Sequence, residues 1–256
     1  MPVVDVDCTR APAFGLHERF DRADTDWHAH AKHQLLYACR GSMRVYVERQ
    51  MWLLPSGRAA WVPAGVRHRV VCSRLELQTV YLPTRRVREA PAAPVVFDAP
   101  PLAREMLAHA VRMGPADPPT PKARSFFSTL AYLCLEWMRD PLPLCLPRAE
   151  SAALQRAMDW TLQNLGARAT AAAAARAAGM STRTMARRFA VETGTTWRRF
   201  AHDARIIEAT HRLSVPGAHV GDVAASLGFE SLSAFSRAFK SALGRPPSSM
   251  RPRAPS

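Results

Sequence analysis

The 256 residues carry 35 Lys and Arg against 21 Asp and Glu, a formal net charge of +14 at pH 7. That balance asks for a polyanionic partner, while a hydrophobic share of 48% and six Trp exclude a disordered polycation. Only Lys32, Lys122 and Lys240 are lysines, so the charge is mostly arginine, whose planar fork suits phosphate and guanine.

No apolar run approaches the ~20 residues that span a bilayer, and residues 1–10 lack the basic-then-apolar order of a signal peptide. A soluble, cytoplasmic chain without a membrane partner is expected. Cys8, Cys39, Cys72, Cys134 and Cys145 are odd in number and never spaced as a metal knuckle or a redox pair. Reduced thiols that mostly fill core space are expected.

From the N-terminus, short apolar segments at residues 34–39, 43–47, 52–54, 60–62, 68–72 and 75–82 alternate with turn signals at Gly41-Ser42, Pro55-Ser56-Gly57 and Pro63-Ala64-Gly65. They predict a compact all-β unit over residues 1–90. Proline clusters around 91–101, 115–121 and 141–147 interrupt regular structure. Between them, helices are predicted over 102–113 and 123–138. The second carries Phe126, Phe127, Leu130, Leu133, Leu135 and Trp137, so it must pack on the β unit or on a second copy of the chain. Residues 91–148 are therefore a helical linker or dimerisation region.

From residue 149 onward the pattern is helical. Residues 149–256 hold 15 basic and 7 acidic side chains, net +8, against net +6 for residues 1–148. Within this part a unit repeats. Ala175, Gly179, Ser181, Met185, Arg187, Phe189 and Gly194 align with Ala224, Gly228, Ser231, Phe235, Arg237, Phe239 and Gly244. Each unit reads as helix, glycine turn, serine-capped second helix and glycine stop. Met185 with Phe189, and Phe235 with Phe239, share a buried face; Arg187 and Arg237 fall roughly opposite. Such a unit is a helix-turn-helix with its recognition helix.

At these residues the sequence resembles the AraC/XylS family of bacterial transcription regulators. The resemblance is most specific at Ala224, Gly228-Phe229, Ser231, Phe235, Arg237, Phe239-Lys240, Gly244, Pro247 and Arg251. It implies two helix-turn-helix subdomains over 149–256, joined by a long helix over 197–213, that enter successive major grooves. Arg183 departs from relatives, which carry other bulky or polar readers there. Candidate DNA-binding residues are Ser181, Thr182, Arg183, Ala186, Arg187 and Arg188 in the first unit. In the second they are Ser231, Leu232, Ser233, Ser236, Arg237, Lys240 and Arg251. Arg183, Arg187 and Arg237 are expected to read bases. Arg188, Lys240, Arg198 and Arg251 are expected to hold phosphate or make structural pairs.

In the N-terminal part, His28, His30, Gln34 and His68 have the parity to converge inside a small barrel. Residues 20–85 resemble the cupin-type ligand-binding domain of AraC-like regulators. The resemblance rests on Trp27-His28 with His30, Gln34 to Tyr37, Gly41, Leu53-Leu54-Pro55, and Trp61 to Gly65 with His68. It implies an effector pocket near Trp27, His28, His30, Gln34, Tyr37, Trp61 and His68. A divalent metal, Zn or Ni, on His28, His30 and His68 is an alternative occupant, although Gln34 stands where cupin enzymes place an acid.

The fold expected is α+β in two domains: a cupin-like β-barrel followed by linker helices, then an all-α domain with two helix-turn-helix subdomains. The function expected is a non-enzymatic, effector-responsive transcriptional regulator that binds double-stranded promoter DNA. It would act as a homodimer, with RNA polymerase as a further partner. The alternative is a metal-dependent cupin enzyme, a dioxygenase or isomerase, fused to a DNA-binding region. A nucleic-acid-coating protein is disfavoured by the matched recognition helices.

Overall fold

The computed structural model describes residues 5–87, 89–166, 169–215 and 217–250. It divides into two compact units. One holds the described residues up to Val47 together with Trp52–Leu142; the other holds Glu48–Met51 and the described residues from Pro143 onward.

The first unit is built on an antiparallel sheet of β1 (Phe14–Asp24), β2 (Lys32–Val47), β3 (Gln50–Pro55), β4 (Arg58–Val62), β5 (His68–Pro83), β6 (Val95–Asp98) and β7 (Pro141–Leu142). The strand order runs β1-β5-β2-β4-β6-β7, with β3 beside β2. β1 is an edge, and its run of charged residues suits one, because an uncovered row of backbone groups invites wrong pairing. Strands β6 and β7 lie in the stretch read from sequence as helical linker. Pro94 stands just before β6 and Pro141 opens β7, positions where a missing amide costs least.

Two expected turns hold: Ser56-Gly57 joins β3 to β4, and Ala64-Gly65 follows β4, with Gly57 and Gly65 at φ 76°. The turn expected at Gly41-Ser42 is not one. β2 runs straight through it, with register shifts around Arg40 against β5. Gly41, at φ 78°, faces Arg74, at φ 49°, and a Cβ there would stand 2.2 Å from the Arg74 carbonyl oxygen. The positive φ serves a bulge in one long strand, so the predicted pairs of short segments are single strands of 16 residues.

One sheet face is covered by α1 (Pro101–Ala110) and α2 (Pro121–Trp137). Leu35, Tyr37, Ala59, Trp61, Val80, Leu82 and Phe97 pack there against Leu107, Phe127, Leu130, Ala131 and Cys134. The apolar face of α2 is thus buried on its own sheet, the first of its two expected destinations. Gly15 makes the seating of α1 possible, since a Cβ would lie 2.6 Å from the Ala110 backbone, and its amide donates to the Met113 carbonyl at 2.8 Å.

The second unit holds β8 (Cys145–Pro147), α3 (Ala152–Gln163), α4 (Ala171–Ala177), α5 (Thr182–Thr193), α6 (Trp197–Leu213), α7 (Val220–Ser226) and α8 (Leu232–Leu243). Here the sequence repeat becomes a structural one. Gly179 and Gly228 turn at φ 69° and 75°, followed by matched bonds from Met180 N to Ala175 O and from Phe229 N to Ala224 O. Ser181 and Ser231 cap α5 and α8 by accepting from Thr184 N and Ala234 N, each at 3.1 Å. Gly194 and Gly244 end them in the left-handed conformation. The alanine run of α4 combines high helix propensity with small side chains, and Ala174 and Ala175 are buried. The long helix expected over 197–213 is α6.

Candidate nucleic-acid interface and ligand site

Within α5, Met185 and Phe189 are buried, and Phe189 meets Phe200 of α6 at 5.7 Å. Within α8, Phe235 and Phe239 are buried, with Phe235 packed on Phe229 at 5.0 Å. Those anchors decide which side chains turn outward. Thr182, Arg183, Ala186 and Arg187 are exposed on α5; Leu232, Ser233, Arg237 and Lys240 are exposed on α8, and Ser236 is half-buried. Arg183, Arg187, Arg237 and Lys240 make no hydrogen bond or ion pair among the described residues. The caps place Ser181 and Ser231 at the tip of each face, where their hydroxyls also meet Thr184 Oγ1 and Ser233 Oγ.

Arg188 is different. It turns inward and donates to Ser151 Oγ at 2.9 Å. Glu192, one turn on, accepts from Ser151 Oγ and from the amides of Glu150 and Ser151. The Ser151 hydroxyl in turn caps α3. This lock ties α5 to the start of α3. Of its two expected roles, Arg188 therefore has a structural one, a pairing no local sequence pattern signals because its partners lie about forty residues away. Arg251 lies outside the described residues.

In the first unit the three imidazoles do converge. Ring centroids are 4.3 Å apart for His28 and His68, 5.2 Å for His30 and His68, and 6.2 Å for His28 and His30. A backbone bridge clamps the first pair, His28 N donating to His68 O at 3.0 Å and His68 N to His28 O at 2.8 Å. Each ring donates its Nδ1–H to a carbonyl: Asp26 for His28, Lys32 for His30 and Val66 for His68. With those tautomers fixed, every neutral ring keeps a lone pair on Nε2. His30 Nε2 faces Gln34 Oε1 at 3.3 Å, and Gln34 Nε2 donates to the Tyr81 hydroxyl at 2.9 Å, so the neutral His30 ring meets an acceptor at each nitrogen with a proton for one of them. His68 is fully buried, and its Nε2 has no protein partner.

Burial also sets the charge of the cluster. It holds the His68 imidazole down at about 4, with His28 and His30 pushing the same way and the Val66 carbonyl opposing. Burial lowers His30 as well, against its bonds to Lys32 and Gln34. Burial thus favours the neutral form of His30 and His68. As a metal centre the cluster has the right donor chemistry but the wrong arrangement: among the described residues no three His, Cys, Asp or Glu side chains are disposed to hold an ion, and the fourth position is the neutral amide of Gln34.

The expected pocket residues divide between two sheet faces. His30, Gln34 and His68 come together, joined by Tyr81, which sequence reading missed; its register opposite Gln34 is what brings it in. Trp27 is half-buried nearby in sequence, with the Arg67 guanidinium 5.9 Å from its ring. Tyr37 and Trp61 stand on the other face, in the core beneath α1 and α2. Trp61 is fully buried, and His33 packs on it at 4.8 Å.

Comparison with known proteins agrees with this two-part layout. A helix-turn-helix domain family matches residues 174–253, and the AraC-like ligand binding domain family matches residues 11–119. The chain belongs to the AraC/XylS family. It is similar to the HTH-type transcriptional regulator NimR of Escherichia coli K12, 28% identical over 93% of this chain and 86% of that protein. It is also similar to the transcriptional activator NphR of Rhodococcus sp, 32% identical over 72% of this chain and 56% of that protein. Among solved structures, ToxT from Vibrio cholerae O395 matches at 10% identity and a TM-score of 0.40, over 93% of this chain and 95% of that one. The DNA-binding domain of AdpA in complex with a target DNA matches at 30% identity and a TM-score of 0.36, over 39% of this chain and 89% of that one. As an AraC/XylS regulator the chain thus has a DNA-binding domain containing α4 to α8 and a ligand-binding domain containing the imidazole cluster. Among the described residues no helix is long and apolar enough to cross a membrane.

Proposed function

We propose that this regulator reads promoter DNA with the outer faces of α5 and α8, Arg183, Arg187 and Arg237 making the base contacts, and that it is controlled by a small effector held at His28, His30, Gln34 and His68. The observation that carries the DNA half is the matched pair of capped helices, each anchored by buried side chains and presenting unpaired arginine outward. An Arg fork on guanine O6 and N7 is the commonest specific contact in the major groove. Selection of binding sites from a random DNA pool tests it: each Arg→Ala variant loses preference at one position, and unchanged preferences in all three would overturn the assignment.

The effector half rests on the partnerless Nε2 of His68 beside the imidazoles of His28 and His30. A buried imidazole acceptor with nothing to accept from favours a ligand that brings an N–H or O–H donor. In this reading the cluster binds its ligand and does not catalyse. The effector acts by favouring one arrangement of the protein over another, and must bind the two unequally to do so. Effector-dependent change in promoter affinity, abolished in His68→Phe, is the expected result. The regulator works as a homodimer in this reading, through the outer face of α2, where Tyr132 is 76% exposed. Sedimentation of Tyr132→Glu as a monomer against a dimeric parent tests that part.

A further inference from the structure

A cleft of about 320 Å³ opens between the segment around Ala11–Ala13, the loop after α1 and the start of α2. It is separate from the imidazole cluster and shares no residue with it. Its floor is apolar: Ala11, Ala13 and Phe127 are all buried there. Its walls are cationic. Arg86, Arg112, Lys122 and Arg124 line it, and Asp117 is the one carboxylate among its described lining residues. Asp117 is already engaged, accepting from the Gly114 amide at 2.7 Å.

Two of the cations, Arg86 and Arg124, are held in place without being neutralised. Arg86 donates to the Arg124 carbonyl at 3.1 Å and also bonds the Ser128 hydroxyl, yet its Nε is buried with no partner. Arg124 donates to the Pro119 carbonyl at 3.0 Å. Neither bond supplies negative charge. Burial and the neighbouring charges of Arg85 and Arg124 pull the Arg86 guanidinium below its ordinary range, the sign of a cation short of counter-charge. The first turn of α2 adds the positive end of a 17-residue helix.

We propose that this cleft is a second ligand site, for a small organic anion: a carboxylate carried on an apolar body. The carboxylate would take the Arg forks and the Lys122 ammonium, where charge-assisted bonds are strongest. The body would lie on Ala11, Ala13 and Phe127. Pockets of this size, mostly apolar with a few convergent polar groups, suit drug-sized ligands. Bound there, the anion would bridge the segment before β1 to the start of α2.

Calorimetry on the full chain, with octanoate as the probe, tests the site. Octanoate is expected to bind with one-to-one stoichiometry, and octanamide and inorganic phosphate at least about tenfold more weakly. The Arg112→Glu/Lys122→Glu variant, whose exposed substitutions leave the core intact, should lose octanoate binding by at least about tenfold. The His30→Ala variant should retain it, which separates this site from the effector site proposed above. Absence of octanoate binding to the parent overturns the proposal. So do phosphate binding as tight as octanoate, and loss in His30→Ala with retention in the charge-reversed variant. If that variant instead loses promoter affinity while octanoate binding is unchanged, the cleft is a nucleic-acid contact and the proposal fails.

Discussion

At the residue scale, the most informative contrast lies between two neighbours. Arg187 and Arg188 follow one another on α5, but Arg187 is exposed and Arg188 bonds Ser151 beside Glu192. Arg187→Ala is expected to relax base preference at one operator position, by about 1–3 kcal/mol of discrimination, and to leave unfolding unchanged. Arg188→Ala should do the reverse. It removes a charge-assisted bond to Ser151 and a positive charge beside Glu192, which keeps its three bonds to Glu150 and Ser151, at a cost of about 1–3 kcal/mol in urea unfolding, with base preference intact. Paired binding-site selection and denaturation on both variants check the division of labour.

The same scale holds a pH prediction. His68 has an ordinary imidazole value of 6.5 in the open chain and is held at about 4 in the fold. Between those values the unfolded chain binds the extra proton, so stability rises with pH across the window. The contribution is fully present above about 6.5 and is lost as pH falls towards 4, on the order of 3 kcal/mol in all. His68→Phe should flatten the fall in Tm between those limits. An equally steep fall in the variant would show that other groups carry it. Metal analysis of untagged protein addresses the other use of the cluster. Substoichiometric zinc and nickel are expected; stoichiometric metal lost in His30→Ala would make it a metal centre.

At the element scale, what could be read from sequence follows from how local each cause is. The repeat was legible because a hydroxyl cap, a left-handed glycine and a pair of apolar side chains one turn apart are dictated within a dozen residues. Gly41 was misleading for the same reason. A positive φ is needed at a hairpin and at a bulge alike, and only Arg74 across the ladder distinguishes them. Tyr37, three residues from Gln34, has the parity of the opposite face, so its separation from the imidazoles was readable. That of Trp61 was not, because it depends on pairing with Leu35 rather than on any spacing. β1 stayed hidden because an exposed edge strand carries charge where a buried one carries Val and Ile.

The seating of α1 gives a prediction at this scale. Gly15 has no positive φ, so its smallness rather than its flexibility is what counts. A Cβ there meets Ala110 and Val111 backbone atoms at 2.6–2.7 Å, none of which can rotate away. Gly15→Ala is expected to lift the end of α1 off the sheet, costing about 1–3 kcal/mol and increasing amide exchange at Met113 and Gly15. Gly57→Ala, where nothing lies within 4 Å and only φ is strained, should cost less and leave α1 protected.

At the scale of the whole molecule, the net charge of +14 resolves into groups that are paired and groups that are not. In the DNA-binding unit, Asp203 holds Arg199, Glu208 holds Arg212 and Glu150 holds Arg49, all with nitrogen to oxygen distances below 3 Å. The acids therefore neutralise arginines away from the outer faces of α5 and α8. Arg183, Arg187, Arg198, Arg237 and Lys240 are left unpaired among the described residues. Counter-ions that leave DNA on binding make the logarithm of affinity fall linearly with the logarithm of salt, by about 0.9 per phosphate neutralised. Lys240→Ala and Arg198→Ala are therefore expected to weaken binding by similar factors on operator and non-operator duplexes, each reducing that slope by about one. Arg237→Ala should weaken operator binding far more than non-operator binding, because a base contact is lost only where the base is right. Titrations of both duplexes at three salt concentrations separate the two behaviours, and an equal loss on both duplexes for Arg237→Ala would reassign it to the phosphate backbone.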